Sequence, residues 1–251
     1  MCPELKGEKM LRDKGIDMTL HYKFNEQTYD PQSLKGKYRM KQFVRILAEY
    51  LGIKKGKALD IGCAMGISTF ALEQLGHKPI GIDTSKYFIQ RAKDIASRKK
   101  LSSKFYLKKA VDIETLKQTY NAVTFMGNPL PHFTMDELDT TIRKSWNVLN
   151  IEGVILFHYM DWIDRLFSSY KRMLVEKNAE NEIMLSYHST LDTETGAFER
   201  LFILPEKGEF FRGRFYIWSP WLIEFLLQKN RFKKIESTNL GGHMWVTKAI
   251  R

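Results

Sequence analysis

Short apolar runs alternate with helical patterns between residues 57 and 157, and this alternation constrains the fold more than any other feature of the chain. The apolar runs predict strands at residues 57–61, 79–82, 105–107, 120–126 and 154–157. Helical patterns lie between them at residues 67–76, 85–97 and 134–149. Such an alternation favours a mostly parallel sheet with helices on both faces. We therefore predict an α/β, doubly wound fold.

Two helices of this region have recognisable ends. Thr134 is a predicted N-cap, with Glu137 at the spacing of a capping box. A further helix, before this region, is predicted to begin near Ser33, and Gly52 and Gly56 bracket its end. Its apolar residues fall on one helical face: Phe43, Ile46, Leu47, Tyr50 and Leu51.

The C-terminal third departs from this alternation. A helix is predicted near residues 162–176, and three β-like runs follow at residues 183–189, 197–204 and 209–218. Ser219 and Pro220 then open another helix as its N-cap and first helical residue. Two final strands, near residues 232–237 and 244–249, join through Gly241 and Gly242.

The charge of the chain is strongly positive. The sequence has 40 basic and 29 acidic residues, which give a net charge of +11. An excess of this kind can favour nucleic acid. The lysines are dispersed, however, and no RRM, KH or zinc-finger signature accompanies them. A solvated basic surface is therefore favoured over a nucleic-acid partner.

Cysteine usage and the lack of long apolar runs indicate the compartment. Cys2 and Cys63 are too few for a disulfide framework, and no CxxC pair or Cys/His cluster offers a metal site. The N-terminus lacks the apolar run of a signal peptide, and no stretch approaches the ~18 apolar residues of a membrane span. We expect a cytoplasmic protein that uses neither a membrane nor a metal.

The segment from Leu59 to Gly66 carries most of the functional information. It reads Leu-Asp-Ile-Gly-Cys-Ala-Met-Gly and lies where a strand should end and a helix begin. Ligands of open α/β sheets bind at this edge, where glycines let the backbone approach them. The dinucleotide fingerprint G-x-G-x-x-G fits poorly, because Ala64 and Ile67 occupy its second and third glycine positions. Instead, Asp60 precedes Gly62 by two residues.

This segment resembles motif I of the class I, Rossmann-like, S-adenosylmethionine-dependent methyltransferases, D-x-G-x-G-x-G, with Ala64 in place of the middle glycine. The resemblance is specific for residues 57–128 and looser to about residue 160. It implies S-adenosylmethionine as cofactor, S-adenosylhomocysteine as product and direct in-line displacement at the methyl carbon. It also implies that Asp60, Gly62, Ala64 and Gly66 bind the cofactor. Asp60 would serve its ammonium directly or through water.

Polar residues follow the next three strands in the order of this family. Asp83 lies 17 residues after Gly66, and the resemblance assigns it the ribose hydroxyls, with Thr84 beside it. The resemblance matches Asp112 to the acid that accepts a hydrogen bond from the adenine amino group of the cofactor. It places Asn128 beside the methionine portion of the cofactor. Each has a structural alternative, such as a capping role for Asp83 or a surface turn at Asp112. Their order at successive strand ends favours the cofactor site.

Candidate catalytic residues follow the fourth and fifth strands. The segment from Gly127 to Phe133 resembles the G-N-x-x-x-H-[LF] stretch of glycine- and sarcosine-type small-molecule N-methyltransferases and their relatives. In that comparison His132 orients the acceptor or accepts a proton; the alternative is a structural histidine. Tyr159 either bounds the methyl pocket or is a core aromatic residue. Its neighbours His158 and Asp161 should also approach the methyl group.

We predict an N-terminal cap or flexible segment at residues 1–33 and a methyltransferase domain at residues 34–251. The sheet of this domain should have seven strands with a C-terminal antiparallel hairpin, and residues 161–217 should form an inserted helix and an antiparallel lid. The N-terminal segment has two possible interpretations: Tyr22 and Tyr29 close over the cofactor, or the segment is disordered. Four residues of the lid could hold an acidic acceptor, but a role as solvated strand residues is favoured for each of them: Arg200, Arg212, Arg214 and Tyr216.

The predicted function is methyl transfer to a small-molecule acceptor, with an amine or amino acid as the leading class. One alternative is an RNA or protein methyltransferase that uses the basic surface. Another is an S-adenosylmethionine-binding protein without catalysis. The sequence leaves the oligomeric state open.

Overall fold

The structure, a computed structural model, describes residues 18–52 and 55–251. The chain divides into two units. The large unit comprises Gln27–Ser168 and Trp218–Arg251, and the small unit comprises Met1–Glu26 and Ser169–Ile217. In the part of the chain that the structure describes, no helix is both long and apolar enough to cross a membrane.

The described residues form eleven strands and eight α-helices. The strands are β1 (Lys57–Ile61), β2 (Lys78–Asp83), β3 (Lys104–Leu107), β4 (Tyr120–Phe125), β5 (Leu149–Met160), β6 (Met173–Lys177), β7 (Ile183–Asp192), β8 (Ala197–Leu204), β9 (Glu209–Tyr216), β10 (Lys233–Gly241) and β11 (Met244–Ile250). The helices are α1 (Thr19–Phe24), α2 (Glu26–Tyr29), α3 (Leu34–Leu51), α4 (Ile67–Gln74), α5 (Lys86–Arg98), α6 (Met135–Val148), α7 (Trp162–Ser168) and α8 (Pro220–Lys229).

The large unit is built on a seven-stranded sheet with the order β10-β11-β5-β4-β1-β2-β3. Its first five strands pair in parallel, whereas β11 is antiparallel to both β5 and β10. This topology confirms the predicted doubly wound sheet with a C-terminal antiparallel hairpin. The carboxyl ends of β1 to β5 therefore meet along one edge, where open α/β sheets bind their ligands.

Helices α3, α4 and α5 contribute apolar side chains to the core of the large unit. One buried cluster includes Phe43 and Leu47 of α3, Leu72 of α4 and Leu156 of β5. A second cluster joins α5 to the neighbourhood of Cys63 and β3. These contacts fix the helices whose first turns border the carboxyl edge of the sheet.

The predicted helix caps are confirmed. The Thr134 hydroxyl accepts from the N–H of Glu137, and the Glu137 carboxylate accepts from the N–H of Thr134, which completes a capping box. Ser219 is the N-cap of α8 and Pro220 its first residue. Helix α3 begins after its N-cap Ser33 and ends at Leu51, with Gly52 as its C-cap, in agreement with the predicted bounds.

The helix predicted at residues 162–176 is wrong in its second half. Helix α7 ends at Ser168, and the residues from Met173 to Lys177 form β6. This strand pairs antiparallel with β7, so the small unit has a four-stranded sheet with the order β6-β7-β8-β9 rather than three strands. Backbone pairing with residues 6 to 14 positions further along the chain outweighs the local helical pattern.

The segment at residues 1–33, predicted as a cap or flexible segment, falls partly outside the described residues, which begin at residue 18. The described part contains α1 and α2. Tyr22 lies in α1 of the small unit, and Tyr29 lies in α2 of the large unit. The ring of Tyr29 contacts Phe88 of α5, with a centroid distance of 5.2 Å.

Candidate active site

The loop between β1 and α4 turns at three residues with positive φ angles. These angles are 72° at Gly62, 46° at Ala64 and 91° at Gly66. A Cβ atom on Gly62 would approach Cβ of Pro129 to 2.9 Å, so both the angle and the space require glycine there. Ala64 holds its left-handed angle at a cost of about 1 kcal/mol. We call residues 62–66 the glycine loop.

The glycine loop is tied to the end of β2. The N–H groups of Gly62 and Cys63 donate to the carbonyl oxygen of Ile82, at 2.9 and 3.0 Å. The N–H of Ala64 donates to Oδ2 of Asp83 at 3.0 Å. These bonds place the glycines and the carboxylate of Asp83 side by side at the carboxyl edge of the sheet.

Asp83 also joins β2 to the start of α5. Its Oδ1 accepts from the N–H of Ser85 at 2.8 Å, and Ser85 is the N-cap of α5. Burial raises the pKa of Asp83, although its backbone hydrogen bonds act in the opposite direction. The side chain keeps partial exposure beside the exposed Thr84. Each carboxylate oxygen retains a lone pair for a further donor, as a ribose diol would supply.

Asp60 is fully buried, with 0% exposure. Its Oδ2 accepts from the hydroxyls of Ser68 and Thr69, each at 2.6 Å, and its Oδ1 accepts from the hydroxyl of Thr124 at 3.0 Å. Burial raises the pKa of Asp60 to about 6 despite these hydroxyls, which lower it. The carboxylate thus fixes the first turn of α4 against β1 and β4. It offers no exposed surface to a ligand in this structure.

The ends of β4 and β5 are joined by two hydrogen bonds through Asn128. Its N–H donates to the carbonyl oxygen of His158 at 2.9 Å, and its Oδ1 accepts from the N–H of Met160 at 3.0 Å. Asn128 has a positive φ of 70°. Its side-chain oxygen therefore holds the turn that carries Gly127 to the same edge of the sheet as the glycine loop.

The tautomer of His158 follows from a backbone contact. The N–H of Gly127 donates to Nδ1 of His158 at 3.2 Å, so the neutral ring carries its proton on Nε2. Desolvation, and to a smaller extent the positive charge of Arg39, lower the pKa of His158 to about 4. His158 is therefore a neutral N–H donor at physiological pH.

Arg39 of α3 is a residue that the sequence motifs missed. Its Nη1 donates to the carbonyl oxygen of Thr28 at 2.7 Å, and its guanidinium lies 5.3 Å from the ring centroid of Phe43. A Cβ atom on Gly127 would lie 2.9 Å from Nη2 of Arg39, so the guanidinium closely approaches the end of β4. Desolvation lowers the pKa of the Arg39 guanidinium. No acidic side chain among the described residues forms an ion pair with it.

Two other predicted residues lie in short helical turns after their strands. Asp112 is exposed in the turn Ala110–Leu116, after β3. His132 ends the turn Leu130–His132, after β4. The imidazole of His132 keeps exposed surface, but desolvation by the surrounding protein lowers its pKa to about 4. It is therefore neutral at physiological pH.

Tyr159 is turned away from these groups. It is fully buried, and its hydroxyl lies 2.7 Å from Oγ1 of Thr247 on β11. Thr247 in turn shares a hydrogen bond of 2.8 Å with Ser237 on β10. Burial raises the pKa of Tyr159. Since β11 and β10 lie on the side of β5 opposite β4, this geometry favours the core role over the methyl pocket.

Three arginines of the small unit are paired with acids. The N···O distances are 3.9 Å for Arg200 and Glu176, 3.7 Å for Arg212 and Glu199, and 3.3 Å for Arg214 and Asp192. Tyr216 is half-buried, with the guanidinium of Arg214 at 6.0 Å from its ring centroid. These pairs favour a structural role over a site for an acidic acceptor.

Comparison with known proteins finds a family model that matches part of the chain. Residues 58–153 match the family model described as a methyltransferase domain. This segment contains the glycine loop, Asp83, Asp112 and His132. No group of three or more His, Cys, Asp or Glu residues in the described ranges is placed to hold a metal ion.

Solved structures share the fold over nearly the whole chain. The PH0226 protein from Pyrococcus horikoshii OT3 has a TM-score of 0.75 and 22% identity, covering 93% of this chain and 99% of that chain. An S-adenosylmethionine-dependent methyltransferase from Clostridium acetobutylicum has a TM-score of 0.70 and 13% identity, with 92% and 99% covered. The sugar N-methyltransferase KedS8 from Streptoalloteichus sp. has a TM-score of 0.64 and 14% identity, with 94% and 93% covered. A search of curated proteins found no match.

The fold and the matched domain together define an enzyme class. Residues 58–153 match a methyltransferase domain, and the sheet that they help to form has the Rossmann-like fold of the solved methyltransferase structures. The glycine loop and Asp83 lie inside the matched segment, at the carboxyl edge of the sheet.

Proposed function

We propose that this enzyme transfers the methyl group of S-adenosylmethionine to an amine nitrogen of a small molecule, with S-adenosylhomocysteine as the product. The glycine loop, held against β2 through Ala64 and Asp83, is the observation that carries the proposal. When bound, the cofactor supplies a methyl group made electrophilic by a sulfonium. The chain has to bind the two reactants, align them and exclude water.

The polar groups at the edge of the sheet match the parts of the cofactor. Asp83 would accept from both ribose hydroxyls through its two oxygens, because each retains a lone pair beside its backbone donor. The exposed Asp112 would accept from the adenine amino group. The free N–H groups at the start of α4 would face the carboxylate, since a helix N-terminus favours an anion.

Arg39 supplies a second contact for the cofactor carboxylate. A partly desolvated guanidinium without an acidic partner in the described residues is costly, and an anion offsets that cost. The end of β4, which Arg39 approaches at Gly127, is where the methionine portion lies in methyltransferases of this fold. The Nε2 proton of His158 adds a neutral donor near the same edge.

Asp60 acts differently from the role that motif I implies. Three hydroxyl donors occupy its oxygens, and its side chain is fully buried. We assign it a positioning role: it holds the first turn of α4, whose N–H groups then face the cofactor. The ammonium of the cofactor would be served by water or by backbone carbonyl oxygens of the glycine loop.

His132 is suited to orient the acceptor rather than to deprotonate it. A base with a pKa of about 4 is poorly matched to an alkylammonium ion near neutral pH. A neutral imidazole can instead hydrogen-bond an amine that arrives uncharged and loses its proton after methylation. The resemblance of residues 127–133 to the glycine- and sarcosine-type N-methyltransferases supports this assignment, as does the fold likeness to a sugar N-methyltransferase.

The acceptor class is tested by measuring release of S-adenosylhomocysteine with separate acceptors. The panel contains amino sugars, amino acids, hydroxyl-only sugars of matched size, total RNA and a protein mixture. We expect turnover with one of the small amines and none with its hydroxyl analogue. Turnover with RNA or protein alone would contradict the small-molecule proposal. Cofactor binding without turnover on any acceptor would favour the non-catalytic alternative.

A further inference from the structure

Six lysines that are dispersed in the sequence lie at the amino edge of the seven-stranded sheet, opposite the cofactor site. Three of them are the first residues of adjacent parallel strands: Lys57 in β1, Lys78 in β2 and Lys104 in β3. The other three lie in the segments that lead into β1 and β3: Lys55, Lys99 and Lys100. We call these six residues the basic edge.

The starts of β1 and β2 are held directly against each other. Lys57 and Lys78 are register partners, and the N–H of Lys78 donates to the carbonyl oxygen of Gly56 at 2.9 Å. A Cβ atom on Gly76 would lie 4.0 Å from Cγ of Lys55. The side chain of Lys55 therefore lies beside the turn that leads into β2.

The lysines of the basic edge have no acidic partners in the described part of the chain. All six are exposed, and none of the ion pairs formed there includes them. Glu73, at the end of α4, accepts instead from the N–H and hydroxyl groups of Ser102 and Ser103. No acidic residue occurs in the segments that carry the six lysines: 55–57, 76–79 and 98–104.

The positive charge of the chain is concentrated in the large unit. This unit contains 28 Lys and Arg against 16 Asp and Glu, whereas the small unit contains 12 against 13. In the sequence the lysines are dispersed, but the fold gathers six of them along three strands that are together ~10 Å across. Like charges at this spacing repel one another, and an anionic partner relieves the repulsion.

We propose that the basic edge binds the phosphate backbone of nucleic acid without reading its sequence. Lysine ammonium groups neutralise phosphates as point charges and release the condensed counterions, which favours binding to any sequence. A membrane is a poorer partner for this surface, because peripheral membrane binding also inserts apolar side chains. None of the large exposed hydrophobic residues lies in the three segments that carry the six lysines.

The basic edge and the cofactor site lie at opposite ends of the same strands. Strand β2 begins at Lys78 and ends at Asp83, and a rise of ~3.3 Å per residue separates these two residues by roughly 16 Å. A short nucleic acid at the basic edge therefore leaves the cofactor edge open and is not the methyl acceptor. The interaction would hold an enzyme for small molecules on an anionic polymer.

Fluorescence anisotropy of the full-length protein with a labelled RNA of about 20 nucleotides tests the proposal. We expect a micromolar dissociation constant at about 50 mM salt. About four lysine–phosphate contacts predict a slope near −3 for log affinity against log salt, so binding should be roughly 50-fold weaker at about 200 mM. Single-stranded DNA of the same sequence should bind comparably, because the phosphates are shared.

Charge reversal at the two ends of the same strands locates the binding surface. Lys78→Glu combined with Lys104→Glu should weaken RNA binding at least ~10-fold and reduce the slope to near −1.5. The matched control is Lys86→Glu combined with Lys109→Glu, two exposed positions that follow β2 and β3. It changes the net charge equally and should stay within about threefold of wild type, because salt screens charges beyond ~10 Å.

Circular dichroism establishes that the variants are folded, and Lys55→Gln combined with Lys99→Gln gives a milder second test at the basic edge. Wild-type protein that binds no RNA at about 100 µM would overturn the proposal. Equal losses in the two charge-reversal variants would overturn it as well, because they would assign binding to net charge alone.

Two further outcomes would contradict the proposal. Competition between RNA and S-adenosylmethionine would place the RNA at the cofactor edge. Binding to vesicles of phosphatidylserine and phosphatidylcholine, without binding to RNA, would identify a membrane as the partner. None of these results decides the proposed methyl transfer, since release of S-adenosylhomocysteine with a small amine is measured without RNA.

Discussion

The N–H of Ala64 donates to Oδ2 of Asp83 across 3.0 Å, and this bond connects the two strand ends on which the cofactor site depends. Ala64 follows β1, and Asp83 ends β2. A loop with a positive φ at Ala64 is thereby held open by the same carboxylate that would accept the ribose hydroxyls. Asp83 thus shapes the loop and, in the proposed function, would also bind the cofactor.

Asp83→Ala should weaken S-adenosylmethionine binding by about 100-fold, because the ribose loses two acceptors and the N–H of Ala64 loses its partner. Calorimetric titration measures the change. Asp94→Ala is the matched control, since Asp94 is exposed on α5 and its carboxylate bonds to Gln90. An unchanged dissociation constant in folded Asp83→Ala protein would remove Asp83 from the site.

Arg39→Gln should weaken binding of S-adenosylmethionine and S-adenosylhomocysteine alike, by roughly 10- to 100-fold, because both carry the carboxylate that the guanidinium would meet. Arg45→Gln, an exposed position on the same helix, should bind as the wild type does. A ligand without the carboxylate, 5′-methylthioadenosine, should bind Arg39→Gln and wild type equally. A loss for this ligand too would mean that the substitution disturbs the fold around Gly127.

Asp60→Asn should lower the stability and the cofactor affinity while leaving kcat at saturation near its wild-type value. The amide nitrogen cannot accept from the hydroxyls of Ser68 and Thr69, which costs ~1–3 kcal/mol. A variant with unchanged affinity but lost kcat would contradict a positioning role.

The pH dependence of the stability difference between wild type and Asp60→Asn gives a second readout of how Asp60 ionises. The folded pKa of Asp60 is raised to about 6, so the folded state binds more protons than the unfolded state between about pH 4 and 6. Wild type should therefore lose stability relative to Asp60→Asn as the pH rises through this window, by up to about 3 kcal/mol. Urea unfolding from pH 4.5 to 7 measures the trend, and a constant difference would show that Asp60 ionises normally.

His132→Ala should reduce kcat by roughly 10- to 100-fold with little change in cofactor affinity, because the proposed role of the imidazole is to contact the acceptor. His132→Gln should recover part of the rate, since its amide can also hydrogen-bond an amine. Steady-state kinetics with the identified acceptor, alongside cofactor titration, separates the two effects. If both variants turn over at the wild-type rate, His132 has the structural role instead.

Ala64→Gly should stabilise the protein by about 0.5–1 kcal/mol, because glycine accepts a φ of 46° without the steric cost that alanine carries. Ala96→Gly in α5 is the contrasting variant, and it should destabilise by about 1 kcal/mol. Thermal unfolding measures both. A destabilised Ala64→Gly protein would mean that the entropy gained by the unfolded chain exceeds the relief of strain.

The sheet and the glycine loop could be predicted because their signals are local. Strand periodicity, a capping box at Thr134 and the spacing from Gly62 to Asp83 all lie within short segments. Asp60 was placed correctly at the end of β1, but its full burial could not be predicted. The three hydroxyls that surround it come from α4 and β4, which only the folded chain brings together.

Long-range contacts also explain the other differences. Arg39 reaches the site from α3, and no spacing in the sequence relates it to Gly127. His158 was expected near the methyl group from its place after the fifth strand, but its hydrogen bond to Gly127 depends on the folded chain. The local sequence of β6 predicts a helix, but pairing with β7 decides the conformation of this segment. The hydroxyl of Tyr159 turns towards Thr247, a partner 88 residues away.

Calorimetric titration of the wild-type protein with S-adenosylmethionine and S-adenosylhomocysteine, beside NAD and ATP, tests the central claim most directly. We predict saturable one-to-one binding of the first pair and no comparable binding of the other two, because the glycine loop lacks the dinucleotide spacing. Binding of NAD or ATP in place of S-adenosylmethionine would contradict the assignment of the glycine loop and Asp83 to a methyl-donor site.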